Sequence, residues 1–194
     1  MNIEMRENAM RRTAYGVNGI RRKACGVSTI RNAAYGILLA AATILAPRLA
    51  QAQDSGLPIG TTAPSAVLQT LDGKSVDLAQ ITKGTPAVIE FWATWCENCD
   101  HLLPAMQRAQ AKYGKQVKFV AVAVSVNQSP RRVKLHAAKY KVPGVQLYDT
   151  NGDATGKWDV PATSHVVVID KRGRVVYTGV GGTQDIDAAI KKAL

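Results

Sequence analysis

One stretch constrains this chain more than any other. Ala87-Val88-Ile89-Glu90-Phe91-Trp92 is an apolar run of strand length and reads as a buried β-strand. Cys96 and Cys99 follow it, and Asp100 to Tyr113 then has helical spacing, with Leu102, Met106 and Ala109 on one face and Leu103 beside it. The cysteine pair therefore sits where a strand passes into a helix. Free N–H groups and the helix dipole at such a junction favour an anion. A thiolate is an anion, so Cys96 is expected to have a lowered pKa. Cys99, one turn further in, is near enough to close a disulfide. A strand, then C-x-x-C, then a helix is a redox-motif context rather than a structural one.

A zinc site competes for the same motif, but a structural zinc needs four Cys or His ligands. The only other cysteine is Cys25, and the histidines His101, His136 and His165 form no H-x₃₋₅-H pair. Fold stabilisation is a poor alternative, because a loop of two intervening residues restrains little of an unfolded chain.

The residues from Phe91 to Cys99, Phe-Trp-Ala-Thr-Trp-Cys-Glu-Asn-Cys, with Pro104 five positions later, resemble the thioredoxin superfamily and, within it, the TlpA/ResA-like branch of exported disulfide reductases. The resemblance runs from about residue 57 to the C-terminus. It implies an α/β thioredoxin fold, a central mixed sheet flanked by helices, with an N-terminal β-hairpin and an extra strand-helix insertion. It also implies chemistry carried by the Cys96–Cys99 dithiol, with no metal and no further cofactor. Cys96 would attack a substrate disulfide and Cys99 would resolve the mixed disulfide. Trp95 is similar to the tryptophan that covers the pair in relatives. Glu90 matches a buried acid beneath it, a candidate to take the Cys99 proton; an outward-facing edge residue is the alternative.

Glu97 places a negative charge beside Cys96, opposing the dipole and holding the thiol nearer its ordinary pKa. That predicts a reducing couple. His101, two residues after Cys99, would push the other way if protonated.

Two positions depart from the family pattern. Leu102 stands where many TlpA/ResA-like sequences have Glu. The cis-proline that faces the motif in relatives falls either on Pro161, with a shifted loop, or is replaced by Ser164. In the latter case His165 would adjoin the cysteines, and thiolates plus imidazole suit copper. This gives a second reading, a copper-binding assembly factor like the Sco proteins, although those use C-x-x-x-C. A third, a peroxiredoxin-like peroxidase, wants Thr three residues before the reactive cysteine, where this chain has Ala93.

The 194 residues fit one domain plus an N-terminal addition. Gly36 to Ala46 is an uncharged run of 11 residues, preceded by arginines and followed by Ala50-Gln51-Ala52. It is short for a membrane span but fits a signal-peptide core with a small-x-small cleavage site. Residues 1–52 are thus expected to be a signal peptide with an extended basic n-region, with the mature chain starting near Gln53. An uncleaved membrane anchor is the alternative. Three basic ten-residue repeats, starting at Arg11, Arg21 and Arg31, are too short to build a repeat core. They read as a duplicated n-region or as a start codon upstream of the true one, with Met10 as candidate. Residues 53–64, rich in Gly and Pro, read as a linker or extended lead-in, and 65–194 as the thioredoxin-like domain.

Of the 25 Lys+Arg, 8 fall in residues 1–52 beside 2 of the 14 Asp+Glu, so the rest carries 17 basic and 12 acidic residues. The domain itself is only mildly basic. No aromatic-interleaved basic patch points to nucleic acid. The expected partners are cysteine-containing exported proteins and, by the resemblance, a membrane thiol-disulfide electron donor; the expected location is the periplasm.

Within the domain, an Asp72-Gly73 turn predicts a hairpin of residues 67–71 and 74–78. Residues 117–124 read as the next central strand, Ser129-Pro130 as the start of a helix with Val133, Ala137 and Tyr140 on its core side. Residues 145–148 read as a short strand and 154–158 as a brief helix. Residues 165–169 and 174–178 read as an antiparallel pair. Thr183 is expected to cap a last helix burying Ile186, Ala189, Ile190 and Leu194.

Overall fold

The computed structural model describes residues 56–194; the expected signal segment 1–52 and the first residues of the lead-in lie outside them. A hairpin of β1 (Val67–Thr70) and β2 (Ser75–Asp77) precedes α1 (Leu78–Thr82). Then come β3 (Ala87–Trp92), α2 (Glu97–Tyr113), β4 (Lys118–Val124) and α3 (Pro130–Tyr140). β5 (Val145–Asp149), α4 (Asp153–Lys157), β6 (His165–Ile169), β7 (Val175–Val180) and α5 (Ile186–Lys191) complete the chain.

All seven strands form one sheet in the order β2-β1-β5-β4-β3-β6-β7. β3 runs parallel to β4 and antiparallel to β6. Every residue of β3 is buried, which is why its sequence reads as a continuous apolar run: a strand covered on both faces does not alternate. Glu90 is the single interruption. The inserted strand β5 lies between β4 and β1 and joins the hairpin to the central strands.

The faces of β3 separate two cores. Ala87, Ile89 and Phe91 pack with Leu78 of α1, Ala154 of α4 and Trp158. Val88 packs against Leu102, Met106 and Ala109 of α2 and Ile186 and Ile190 of α5. Trp92, on that second face, packs with Val133 and Ala137 of α3 and with both cysteines. Each large apolar side chain so buried contributes about 1.5–3 kcal/mol.

The described part of the lead-in is pinned to the sheet. The Gly60 N–H donates to Val175 O at 2.8 Å, the Val175 N–H to Thr61 O at 2.9 Å and the Ala63 N–H to Gly173 O at 2.8 Å. It thereby covers part of edge strand β7, which would otherwise offer unpaired backbone groups.

Three expectations need correction. The last helix is capped by Asp185, whose carboxylate accepts from the Ala188 N–H at 3.0 Å, and not by Thr183. The Gln184 amide donates to Ser164 O and Gly181 O, which holds residues 181–184 in a turn and delays the helix. Tyr140 is exposed at the end of α3, its ring against His136 (4.5 Å between centroids), and Leu194 is exposed beyond α5. The α3 start is as expected: Ser129 Oγ accepts from the Arg132 N–H, and Pro130 occupies the first turn.

Candidate active site

β3 ends at Trp92, and Ala93-Thr94-Trp95 turn the chain into α2. Cys96 is the N-cap of this 17-residue helix. Its Sγ accepts from the Cys99 N–H at 3.1 Å, and its carbonyl accepts from the N–H groups of Cys99 and Asp100. A side-chain acceptor at this place satisfies a helix donor that has no other partner, and the same amide stands ready to stabilise a Cys96 thiolate. Cys96 and Cys99 are joined as a disulfide, with Cα atoms 5.2 Å apart.

Exposure does not separate the two cysteines: Cys96 is 5% exposed and Cys99 6%. Their difference lies in the cap position. The exposed groups at the pair are Glu97, Asn98 and Asp100 on the helix and Trp95 before it. Trp95 is 46% exposed while its Nε1–H donates to Val126 O at 2.8 Å. Behind the pair, a Cβ on Gly182 would stand 2.7 Å from His101 Cβ and 3.0 Å from Asn98 O. The loop after β7 thus sits against the first turn of α2, at a distance only glycine permits.

Glu90 pairs in register with Ala121 of β4 and Val166 of β6 and is 3% exposed. An outward-facing edge residue is therefore the wrong description. It shares the sheet face of Val88 and Trp92, the face that carries α2 and the cysteines. Burial pushes its carboxyl up to about 8, because an apolar surround disfavours the charged form.

The loop before β6 carries both candidate positions, Pro161 and Ser164. No peptide bond among the described residues is cis, and Pro161 is exposed. Ser164 is the residue directly before β6; it is buried, with φ +61°, and its Oγ donates to Gly181 O at 3.1 Å. His165 lies opposite Phe91 in the register and stacks on it at 5.9 Å, with Nε2 2.7 Å from Thr178 Oγ1. It occupies the sheet face away from Trp92 and the cysteines. Among the described residues no group of three or more His, Cys, Asp or Glu is placed to hold a metal ion. Leu102, where relatives often have Glu, is fully buried in the α2 core.

The Redoxin family matches residues 58–194. The chain belongs to this family. It is 31% identical over 130 residues to the thioredoxin-like protein YneN of Bacillus subtilis, covering 66% of this chain and 75% of that one. To the thiol-disulfide oxidoreductase ResA of B. subtilis it is 32% identical over 122 residues, covering 63% and 67%. Among solved structures it is similar to a thiol:disulfide interchange protein of Chlorobium tepidum, with TM-score 0.60, 25% identity and coverage of 71% and 98%. A thioredoxin domain of a thiol-disulfide oxidoreductase from Bacteroides vulgatus, at TM-score 0.62 and 19% identity over 71% and 99%, shares the fold. The chain is a TlpA/ResA-like member of the thioredoxin superfamily and a thiol-disulfide oxidoreductase, and its sheet and flanking helices are the thioredoxin fold.

Two further residues, Gln128 and His136, belong to this site without having been legible as site residues in the sequence. Gln128 Oε1 accepts from the Thr94 N–H at 2.9 Å, its Nε2–H donates to Val124 O, and its carbonyl accepts from Tyr148 Oη at 2.8 Å. Gln128 thus ties the turn before Cys96 to the end of the neighbouring strand. His136 of α3 packs its ring 5.5 Å from that of Trp92, with Nε2 4.0 Å from Asp100; burial lowers its pKa while Asp100 opposes the change. Only the convergence of the C-terminal ends of adjacent parallel strands, where open α/β sheets place their sites, signals that the loop after β4 belongs here. Gln128→Ala is expected to cost about 1–2 kcal/mol by orphaning two backbone groups. It should also alter tryptophan emission and the alkylation rate of reduced Cys96. Gln128→Glu, which keeps the acceptor for Thr94, should recover part of both. Denaturant unfolding, emission spectra and alkylation kinetics measure these effects, and unchanged emission and alkylation in Gln128→Ala would show that the clamp positions nothing.

Proposed function

We propose that this chain is an exported disulfide reductase of periplasmic proteins. One observation carries the reductase reading: the N-cap thiol Cys96 faces an acidic first turn, Glu97 and Asp100, both exposed. Negative charge there opposes the dipole, stabilises the thiolate less and makes the dithiol a better donor.

In the proposed cycle the Cys96 thiolate attacks one sulfur of a substrate disulfide. A Cys96–substrate disulfide forms and the other substrate sulfur leaves as a thiolate. In the ionised fraction of molecules, Glu90 then takes the Cys99 proton, directly or through a water, and Cys99 attacks Cys96 Sγ. The Cys96–Cys99 disulfide forms and the second substrate sulfur is released. Two electrons pass to the substrate, and an external dithiol donor, by the family resemblance one in the membrane, restores the pair. Trp95 offers an exposed ring at the point of attack.

The copper-binding reading is disfavoured by His165, which sits on the other sheet face. The peroxidase reading lacks its hydroxyl, since Ala93 is buried where Thr is wanted. Export rests on the apolar run 36–46 and Ala50-Gln51-Ala52. No helix among the described residues is long and apolar enough to cross a membrane.

One experiment addresses both parts. Protein recovered from the periplasmic fraction of expressing bacteria should begin near Gln53. Once reduced, it should reduce a protein disulfide, while its Cys96→Ser form should not. A full-length chain kept in the cytoplasm or membrane would refute the cleaved export, and equal activity of Cys96→Ser would refute the site.

A further inference from the structure

We propose that the outer face of α3 is a docking surface for an acidic, partly apolar segment of the protein whose disulfide is reduced. The proposal rests on the reductase reading and names the partner chemistry for the same site.

Residues 130–141 contain five Lys or Arg and no Asp or Glu. Lys134 is committed to Asp72 at 2.7 Å. Arg131, Arg132 and Lys139 are exposed and make no ion pair with any described residue; they border a concavity of about 500 Å³ that Leu135 and Tyr140 also line. Leu135 is 64% exposed, on a helix whose buried side is already filled by Val133 and Ala137. An exposed leucine alone means little. Here it lines one concavity with Tyr140, and both are among the nine large hydrophobic side chains exposed among the described residues.

This face adjoins the redox pair. His136 forms the inner wall of the concavity, and its Nε2 lies 4.0 Å from Asp100, the residue after Cys99. Before the Ser129 cap, exposed Trp95 donates its Nε1–H to the carbonyl of Val126, which is also exposed and three residues before that cap.

Charge selects the occupant. The chain's own residues 1–52 carry a net +6, and residues 53–194 a net +5. Both the N-terminal segment and a second copy are therefore repelled by the three cations. An acidic segment of another polypeptide is attracted. Glu97 and Asp100 beside the cysteines repel such a segment at the disulfide itself, so its acidic residues must lie further out. α3 is 11 residues long, about 16 Å at 1.5 Å per residue. An extended chain covers that in about five residues.

The test uses the reduced mature protein and cysteine peptides joined as disulfide dimers. One carries an acidic block about five residues from Cys, one a neutral block, and one a lysine block. At low salt the acidic peptide should react about tenfold faster than the neutral one, and the ratio should fall towards one at high salt. R131E/R132E/K139E should reverse the preference in favour of the lysine peptide and leave the rate with bis(2-hydroxyethyl) disulfide unchanged. Leu135→Ser should slow the acidic peptide severalfold without altering that small substrate. Equal rates for acidic and neutral peptides, or an acidic preference that survives the triple reversal, would overturn the proposal. If the wild type fails to reduce even bis(2-hydroxyethyl) disulfide, the reductase reading is what fails. Fluorescence anisotropy of a labelled acidic peptide with Ser in place of Cys then decides docking alone: salt-sensitive binding lost in the triple variant supports it, and absent binding overturns it.

Discussion

Cys99→Ser is expected to stop turnover at the first covalent intermediate and lower the steady-state rate by about a thousandfold or more. Attack of Cys99 on the mixed disulfide is intramolecular, with the two Cα atoms 5.2 Å apart, inside the range that a disulfide bridges without backbone movement. Well-oriented intramolecular reactions reach effective molarities on the order of 10⁵ M, so millimolar external thiol is a poor substitute. The serine hydroxyl is not a comparable nucleophile towards sulfur. Cys96 keeps its place at the helix cap, because the Cys99 amide that its sulfur accepts belongs to the backbone. The variant should therefore accumulate as a mixed disulfide with its substrates, detected as reducible adducts by mass spectrometry of the whole protein. Retained turnover without adducts would mean that Cys99 is not the resolving thiol.

Glu90→Gln is expected to produce the largest change in pH dependence. The folded protein holds the Glu90 proton up to about 8, against 4.5 for the ordinary group. Between those values the native state binds a proton that the unfolded chain has released. Stability therefore falls with rising pH across that window. It is highest below about 4.5, where both states are protonated, and the loss is complete above about 8. At about 1.4 kcal/mol per pH unit the decline from this group is about 5 kcal/mol, a large share of the roughly 5–15 kcal/mol that holds a domain together. Glutamine keeps the shape without the charge and should flatten the decline. Urea unfolding of the oxidised protein at pH 5 and pH 9 measures this without interference from thiol titration. The same substitution should slow resolution of the mixed disulfide by about a hundredfold, the usual contribution of a placed general base. Parallel pH–stability profiles for wild type and variant would mean that Glu90 ionises without penalty and is not sealed beneath the pair.

How much of this was legible in the sequence follows from the range of the interactions involved. The strand, the cysteine spacing and the helix that follows are local, and β3 begins and ends at the residues that its apolar run marks. Glu90 was legible through the family resemblance, which implies a buried acid on this strand, and its 3% exposure rules out the edge alternative. The Thr94–Gln128 contact was not, since it joins residues 34 apart and depends on where β4 ends beside β3. His136 was hidden for the same reason. Its contacts with Trp92 and Asp100 require α3 and α2 to share a face of the sheet. The errors at Thr183, Tyr140 and Leu194 are errors of helix ends, where side chains such as Gln184 decide the boundary. Pro161 and Ser164 were both legible as candidates, and the β6 register places Ser164 next to the strand.

The proposed reducing character of Cys96–Cys99 is tested most directly by its midpoint potential, measured by equilibrating the thioredoxin-like domain with glutathione buffers and counting free thiols by alkylation. The helix N-terminus stabilises the Cys96 thiolate by ~1 kcal/mol. Glu97, one residue away, offsets part of this, and no Lys, Arg or His lies between the cysteines. A reducing couple of this kind should have a potential of roughly −200 mV or lower and shift towards oxidising values in Glu97→Gln. A wild-type potential near about −120 mV, the range of strong periplasmic oxidases, or an unchanged potential in Glu97→Gln, would contradict it.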